Sequence, residues 1–258
     1  PVLSHMGHHL YTLPTALVSN TLDYGKFYIQ ETTEYMRQSL KVWAELGFSF
    51  DVVSTGMILS AEQAALVSDF CEQSAKKGAL VFVDPIMGDE GKLYNGVGEE
   101  TVAHMRKMVA VADCIVPNYT EAAYLADMPY HEDMTEEEAR ALTIRLHEMG
   151  AKSVVVTSAK VDGENCVVGY DGTEGEFFRI PFDLIPVRFV GTGDIFAAVM
   201  LGRLVDGVPL QESTHRAMDA VRTMIDRNRD KEDKYLGIPI ETCLEVLDEW
   251  SARACASR

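Results

Sequence analysis

The sequence is poor in positive charge: 23 lysines and arginines stand against 40 aspartates and glutamates, which gives a formal net charge of -17. Such a surface repels phosphate backbones and anionic lipids, which argues against non-specific nucleic-acid binding and against binding to an anionic membrane. No apolar run approaches the roughly 18 to 20 residues that a membrane-spanning helix needs, and no signal-peptide pattern is present. Any phosphate site must therefore be local, and we expect neither a nucleic-acid nor a membrane partner.

Cysteine is also scarce and forms no framework. The five cysteines are odd in number, widely spaced and without a CxxC pair, which disfavours both a disulfide scaffold and a zinc site. A reducing compartment fits this pattern, so we expect a cytoplasmic protein. The residues concerned are Cys71, Cys114, Cys166, Cys243 and Cys255.

What the sequence does contain is an alternation of short apolar runs and longer amphipathic stretches. The apolar runs predict strands buried on both faces, as in a parallel sheet; they are Leu10 to Val18, Asp51 to Ser54, Ala79 to Val83, Asp113 to Val116 and Ser153 to Thr157. The stretches between them predict helices at Thr32 to Leu46, Ser60 to Lys77, Gly98 to Val111 and Thr135 to Met149. This order is typical of βαβ units and a doubly wound fold.

The pattern changes after Thr157. Two runs, Asn165 to Tyr170 and Glu176 to Pro181, flank a turn-forming segment and predict an antiparallel edge of the sheet. Helices are predicted in the remainder, at Gly191 to Val205, Leu210 to Arg227 and Pro239 to Trp250. Because no repeat, proline-rich linker or low-complexity tract marks a boundary, we expect a single α/β domain over residues 1–258, with three α/β/α layers and a mostly parallel, doubly wound sheet.

The segment Gly191-Thr192-Gly193-Asp194 places two glycines and an acid at a predicted helix start. Backbone N–H groups at such a turn, with the helix dipole behind them, suit the negative charge that develops on a phosphoryl group. Asp194 beside them could accept a proton from an alcohol and direct its oxygen at phosphorus. An N-capping aspartate in a tight glycine turn is the alternative, and this fragment alone favours neither.

Two further polar segments follow predicted strands, at the sheet edge where open α/β proteins bind ligands. Asp84 follows the strand that ends at Val83 and begins a glycine-punctuated loop through Tyr94. This loop suits a cation-linked carboxylate under a mobile lid, or it is only a strand exit and a turn. Asn118 and Glu121 lie three residues apart at a helix start and offer oxygens of the kind that Mg²⁺ binds. A capping pair is the alternative for them, and it is slightly favoured by these residues alone.

Together and in this order, the three segments resemble the ribokinase-like superfamily, and Asp84 to Tyr94 resembles the pyridoxal/pyridoxamine (vitamin B6) kinases in particular. The resemblance covers nearly the whole chain. It implies a ribokinase-like fold and transfer of the γ-phosphoryl group of ATP to the hydroxymethyl group of pyridoxal, pyridoxamine or pyridoxine. It also implies Mg²⁺, allows a monovalent cation, and suggests a homodimer, since members of the family commonly pair.

The resemblance further implies roles for individual residues. Asp194 would be the catalytic base, within an anion hole formed by Gly191, Thr192 and Gly193. The metal would lie near Glu121 and Asp84. ATP would be contacted by strand-end and helix-start residues and by the loop over its phosphates, which are Asp84, Asn118, Thr157, Ser158, Asp89, Gly91 and Tyr94.

Three positions depart from the pattern of the B6 kinases. Ser19 and Asn20 stand where the family has a Thr-Gly-containing segment that touches the pyridine ring, and Met57 stands where an aromatic residue is frequent. Met57 can still pack on a flat ring through its thioether. These three residues are therefore weak candidates for substrate contacts. Pro1 to Gly7 resembles the end of the family's first helix, so we expect the family's first strand to be missing.

Two other functions remain open. One keeps phosphoryl transfer but uses hydroxymethylpyrimidine or another small alcohol as substrate. The other is a binding or regulatory protein that keeps the fold and binds nucleotide or vitamer without turnover. A dinucleotide dehydrogenase and a P-loop kinase are disfavoured, since neither GxGxxG after an early strand nor GxxxxGK[ST] occurs.

Overall fold

The computed structural model describes residues 1–94 and 97–248. These residues group into two compact units. The larger unit consists of Leu13–Leu17 and Glu31–Asp183, and the smaller unit consists of Pro1–Thr12, Val18–Gln30 and the described residues from Leu184 onward. The expectation of a single domain stays a prediction.

A six-stranded sheet organises the larger unit. Its strands are β3 (Val52–Thr55), β4 (Leu80–Val83), β7 (Cys114–Ile115), β8 (Ser153–Val161), β9 (Glu164–Asp171) and β10 (Glu176–Pro181). They lie in the order β10-β9-β8-β7-β4-β3. Strands β3, β4, β7 and β8 run parallel to one another, while β9 and β10 form an antiparallel edge next to β8. The predicted mostly parallel sheet with an antiparallel edge is therefore confirmed.

The parallel strands are buried because helices cover them. Val81, Phe82 and Ile115 have no exposed surface, which accounts for the uninterrupted apolar runs in the sequence. The helices of this unit are α2 (Thr33–Glu45), α3 (Ala61–Ala75), α4 (Glu99–Val109), α5 (Tyr119–Ala126) and α6 (Glu136–Glu148). The four helices predicted here are confirmed to within two residues at each end. A small hairpin, β5 (Gly88–Asp89) with β6 (Lys92–Leu93), follows β4.

The smaller unit is built on two long helices, α7 (Thr192–Val205) and α8 (Leu210–Asn228), with the short α1 (Val2–His5) packed on α7. Gly202 allows this close approach, since a Cβ built there would lie 2.3 Å from Cε of Met6. Short 3₁₀ turns lie at Leu22–Tyr24, Ile240–Thr242 and Leu244–Leu247.

Elsewhere in the chain, a separate two-stranded sheet is formed by β1 (Ala16–Val18) and β2 (Ile29–Glu31).

Three predicted elements were wrong in extent or type. The strand expected from Ser153 to Thr157 continues to Val161. The strand expected from Leu10 to Val18 contains only residues 16–18, and Pro14, just before it, has no N–H to donate to a ladder. The helix expected from Pro239 to Trp250 is replaced by two 3₁₀ turns, and Trp250 lies outside the described residues. Among the described helices, none has the length and apolar character needed to cross a membrane.

Candidate active site

The start of α7 is an open glycine turn. Gly191 precedes the helix with φ 83° and ψ 6°, a left-handed conformation that glycine adopts without strain. No side chain of the described residues caps this helix, and the first N–H groups of an α-helix have no acceptor within the helix. Thr192 Oγ1 donates to the Phe189 carbonyl at 3.3 Å and fixes the turn. Gly191, Thr192 and Gly193 thus present the kind of turn that an anion hole requires.

Asp194 lies in the first turn of α7 and is exposed. Its Oδ2 is near the turn, since a Cβ built on Gly191 would lie 3.7 Å from it. The surrounding protein removes part of the hydration of this carboxylate and raises its pKa, while a hydrogen bond from its own backbone N–H opposes the shift. An accessible carboxylate with a raised pKa is suited to accept a proton.

Asp84 follows β4 directly and is half-buried. Its N–H donates to the carbonyl of Thr55 at 3.4 Å, at the end of the adjacent parallel strand β3. The carboxyl ends of parallel strands meet at one edge of the sheet, which is the usual ligand-binding edge. Asp84 therefore lies where the sequence predicted a strand-end acid.

Asn118 and Glu121 form a capping box at the start of α5. Asn118 Oδ1 accepts the N–H of Glu121 at 2.9 Å, and Glu121 Oε2 accepts the N–H of Asn118 at 2.9 Å. The capping pair that the spacing of these two residues slightly favoured is confirmed.

The same two side chains also hold the residues after β4. Glu121 Oε1 accepts the N–H of Met87 at 2.9 Å and that of Gly88 at 3.5 Å, and Asn118 Nδ2 donates to the Gly88 carbonyl at 2.7 Å. Glu121 is 3% exposed. Burial raises its pKa to about 7, against the three backbone N–H bonds, which lower it.

The two acids differ in their fit to a magnesium ion. Mg²⁺ is usually bound through one or two carboxylates, substrate phosphates and water. Asp84 fits this requirement as a half-buried acid at the ligand edge. Glu121 does not fit direct coordination, because backbone N–H groups already point at both of its oxygens. Within residues 1–94 and 97–248, no group of three His, Cys, Asp or Glu side chains could hold a metal by itself.

Thr157 and Ser158 lie in a bulge of β8. The strand, predicted to end at Thr157, continues to Val161 with a register shift between Val156 and Ala159. Ser158 has φ 60°, in the left-handed region that non-glycine residues seldom occupy, and such strained residues cluster at ligand sites. Thr157 pairs with Asn118 as an isolated parallel bridge, so these two predicted ATP-contacting residues are adjacent.

The predicted lid contains a hairpin. Glu90 (φ 51°) and Gly91 (φ 77°) form the connection between β5 and β6, and two residues with positive φ are what a type I′ turn requires. Asp89 Oδ1 accepts the N–H of Glu90 at 2.9 Å, and Tyr94 N–H donates to the Met87 carbonyl at 2.9 Å. Asp89, Gly91 and Tyr94 thus belong to one folded element.

The three weak substrate candidates are divided between the units. Ser19 and Asn20 are exposed in the smaller unit, where Asn20 Nδ2 donates to the carbonyls of Thr21 and Lys26 and Ser19 Oγ accepts the N–H of Tyr28 at 2.9 Å. Met57 lies in the larger unit after β3, and its carbonyl accepts Thr15 Oγ1 at 2.7 Å. Ser19 and Asn20 therefore support their own loop.

Sequence reasoning missed two contributors to this region. Thr120 Oγ1 accepts the N–H of Gly91 at 2.8 Å, and the ring of Tyr130 lies 3.1 Å from where a Cβ on Gly91 would stand. Tyr130 stacks on Tyr119 with ring centroids 4.7 Å apart. A signal existed for Thr120 alone, because it lies inside the Asn118–Glu121 motif.

Comparison with known proteins shows to which family the chain belongs. The sequence model of the phosphomethylpyrimidine kinase family matches residues 2–237. The chain belongs to this family. Membership confirms the predicted resemblance to small-molecule kinases of the ribokinase-like class.

Relatives of this family member include pyridoxal kinases. One from Arabidopsis thaliana is 33% identical over 171 residues, which cover 63% of this chain and 53% of that protein. One from Sus scrofa is 34% identical over 171 residues, covering 59% of this chain and 52% of that protein. The chain thus aligns with about half the length of these kinases.

Solved structures match over more of the chain. A candidate phosphomethylpyrimidine kinase from Bacteroides thetaiotaomicron is 34% identical with a TM-score of 0.92, covering 96% of this chain and 86% of that one. The same protein in a crystal form with pyridoxal has a TM-score of 0.91 at 34% identity, with 96% and 88% covered. Pyridoxal kinase from Lactobacillus plantarum is 28% identical with a TM-score of 0.86, with 98% and 90% covered. The predicted α/β fold is thereby confirmed.

Proposed function

We propose that the chain is an ATP-dependent small-molecule kinase that transfers the γ-phosphoryl group to the hydroxymethyl group of pyridoxal, pyridoxamine or pyridoxine. The observation that carries this proposal is the start of α7, where an exposed aspartate with a raised pKa adjoins an uncapped glycine turn, in a member of the phosphomethylpyrimidine kinase family.

In this proposal Asp194 accepts the proton of the hydroxymethyl group and aims its oxygen at the γ-phosphorus. The O–P bond forms as the bond between the γ-phosphorus and the β,γ-bridging oxygen breaks, and ADP leaves. The N–H groups at Gly191, Thr192 and Gly193 stabilise the charge on the phosphoryl oxygens, a role for which uncapped amides at a helix start are suited. Asp194 must be ionised to act as base.

Residues near the ends of strands in the six-stranded sheet, together with the hairpin, are assigned to ATP. Asn118, Thr157 and Ser158 at the ligand edge, and the hairpin residues Asp89, Gly91 and Tyr94, would contact ATP. Mg²⁺ would be held by Asp84 together with the phosphates and water, where it would offset their negative charge. The acidic surface of the chain, with net charge -17, makes such an offset more necessary.

The substrate is assigned to B6 vitamers because two kinds of relative favour them. Pyridoxal kinases from a plant and a mammal align at 33% and 34% identity, and a structure 34% identical was obtained with pyridoxal. Met57, half-buried after β3, could offer its thioether to the pyridine ring. Ser19 and Asn20 remain weaker assignments, since their polar groups hold their own loop.

Hydroxymethylpyrimidine is the second candidate substrate. The description of the family itself, phosphomethylpyrimidine kinase, favours it. Both substrates are flat nitrogen heterocycles with a hydroxymethyl group, so the same base and anion hole would act on either.

We also propose a cytoplasmic location and a homodimer. Four cysteines, Cys71, Cys114, Cys166 and Cys243, are buried and free, as suits a reducing compartment. The dimer rests on family resemblance.

A coupled ATP-consumption assay tests the substrate. The chain is supplied with ATP, Mg²⁺ and, in separate reactions, pyridoxal, pyridoxamine, pyridoxine or hydroxymethylpyrimidine. We expect turnover above the ATP-only background with at least one B6 vitamer. Turnover with hydroxymethylpyrimidine alone would replace the substrate, and tight vitamer or ATP binding without product in any reaction would make the chain a binding protein.

A further inference from the structure

Asn118 and Glu121 bind both the N–H group and the carbonyl group of the backbone after β4. Gly88 has its N–H directed at Glu121 Oε1 (3.5 Å) and its carbonyl bonded to Asn118 Nδ2 (2.7 Å). Met87 N–H donates to the same Glu121 oxygen at 2.9 Å. The base of the β5–β6 hairpin is therefore fixed by both side chains of the motif.

The tip of the hairpin is held by a third residue of the same segment. Thr120 is 2% exposed, and its hydroxyl accepts the N–H of Gly91 at 2.8 Å. Residues 118, 120 and 121 thus contact the hairpin at two places, its base and its tip. Because the start of α5 is bonded to both the base and the tip of the hairpin, it restricts rotation of the hairpin as well as its separation from α5.

An aromatic ring adjoins the tip of the hairpin. A Cβ built on Gly91 would lie 3.1 Å from the Tyr130 ring, whereas one built on Gly88 would lie 2.3 Å from the Lys92 carbonyl oxygen within the hairpin itself. The tip therefore lies beside Tyr130 in addition to its hydrogen bond to Thr120.

Glu121 has little capacity left for a cation. A carboxylate offers about four acceptor positions, and three backbone N–H groups already occupy positions on its two oxygens. A directly bound metal would have to displace buried hydrogen bonds, which is costly when the freed donors stay buried.

We propose that Glu121 and Thr120 are positioning residues: they latch the β5–β6 hairpin to the start of α5, and Glu121 acts on the nucleotide through this hairpin instead of coordinating the metal. The link to the nucleotide rests on the proposed kinase function. The latch itself does not, because its contacts are present in the chain alone.

Hydrogen–deuterium exchange of the chain without ligands tests the latch. Thr120→Val removes the acceptor for Gly91 at nearly constant volume, and Glu121→Gln removes one acceptor oxygen. Thr214→Val is the matched control, since its buried hydroxyl donates to the Leu210 carbonyl within α8 and approaches the sulfur of Met200 on α7, and neither partner belongs to the hairpin. We expect exchange of the Gly91 amide to accelerate about five- to tenfold in Thr120→Val, and of the Met87 and Gly88 amides in Glu121→Gln. Unchanged exchange at these amides in both variants overturns the latch.

Steady-state kinetics separate positioning from coordination. We expect Thr120→Val to raise the KM for ATP severalfold while the KM for the vitamer stays the same, and both variants to need the same Mg²⁺ concentration for half-maximal rate. A greater Mg²⁺ requirement in Glu121→Gln than in Thr120→Val would assign the carboxylate to the metal and overturn the proposal. If Glu121→Gln does not fold, exchange in Thr120→Val decides alone. If no substrate is turned over, the kinase proposal fails while the exchange experiment still decides the latch.

Discussion

The starts of α5 and α7 have similar sequences but differ in how their polar groups are hydrogen-bonded. Each has a short polar turn with an acid in the first helical turn, Glu121 in one and Asp194 in the other. At the start of α5 the side chains are hydrogen-bonded within the protein: Asn118 and Glu121 cap each other and bind the backbone of Met87 and Gly88. At Asp194 the turn is uncapped by any described side chain and the carboxylate is exposed.

Burial accounts for this difference in use. Glu121 is almost wholly buried, so its oxygens had to be satisfied by protein donors. Asp194 keeps contact with solvent, as the proposed role of proton acceptor requires. A motif alone does not say whether its acid is satisfied by the protein or left accessible; the number of backbone N–H groups that reach the acid does.

The largest expected effect is on turnover and comes from the uncapped start of α7. Asp194→Asn removes the proposed base but keeps the side-chain volume, so kcat should fall about 10²- to 10⁴-fold. The free energy of unfolding should stay nearly unchanged, because the side chain is exposed. Asp219→Asn, which alters a partly exposed acid beside His215 on α8, is the control and should retain kcat. Retained turnover in Asp194→Asn would show that the two acids do not differ as described.

The next largest effect is on stability and comes from the capped start of α5. Glu121→Gln, measured by chemical denaturation at pH 8, should lose roughly 1–3 kcal/mol of unfolding free energy, since a buried backbone N–H is left without its acceptor. Glu138→Gln is the matched control: Glu138 forms the same type of capping box with Thr135, at the exposed start of α6. It should lose much less. Equal losses in the two variants would mean that burial does not distinguish the boxes.

A smaller effect is expected from the glycines of the open turn. Gly191→Ala should lose about 1–2 kcal/mol of unfolding free energy, because alanine is strained at φ 83° although space is available. Gly193→Ala should not lose stability, since a Cβ there meets no atom within 4 Å and alanine favours the helix. Thermal unfolding compares the two, and equal losses would contradict the conformation assigned to Gly191.

The smallest expected effect is a shift in pH dependence. As the proposed base, Asp194 must be ionised, so kcat/KM should fall as the pH drops through its raised pKa, at a pH above the usual aspartate value of about 4. Burial also raises the pKa of Glu121, to about 7, yet this acid is assigned no proton transfer. The acidic limb should therefore stay in place in Glu121→Gln. A limb that moves in this variant would reverse the roles of the two acids.

The sequence predicted the regular part of the molecule well. Buried strands such as Leu80–Val83 and amphipathic helices such as Glu136–Glu148 have strong periodicity, and a spacing of three residues was enough to suggest the Asn118–Glu121 cap. Asp194 likewise lies in the first turn of a helix, as its glycine turn indicated. These features depend on neighbours in sequence.

The missed features depend on contacts between distant segments. The β5–β6 hairpin has strands of only two residues, too short to show alternation, and is held by Thr120 and Glu121 from another helix. The bulge at Ser158 is set by pairing with β9, and nothing in the local residues signals a left-handed serine. Which oxygens of Glu121 remained available could be learned only from the fold.

Phosphorus NMR of ATP, Mg²⁺ and pyridoxal with the chain, and with its Asp194→Asn variant, decides whether the chain phosphorylates the vitamer and whether Asp194 is needed for it. We expect a new phosphomonoester signal that grows as ADP forms in equal amount, and its near absence in Asp194→Asn. Inorganic phosphate without the ester, or equal ester from both proteins, would contradict it.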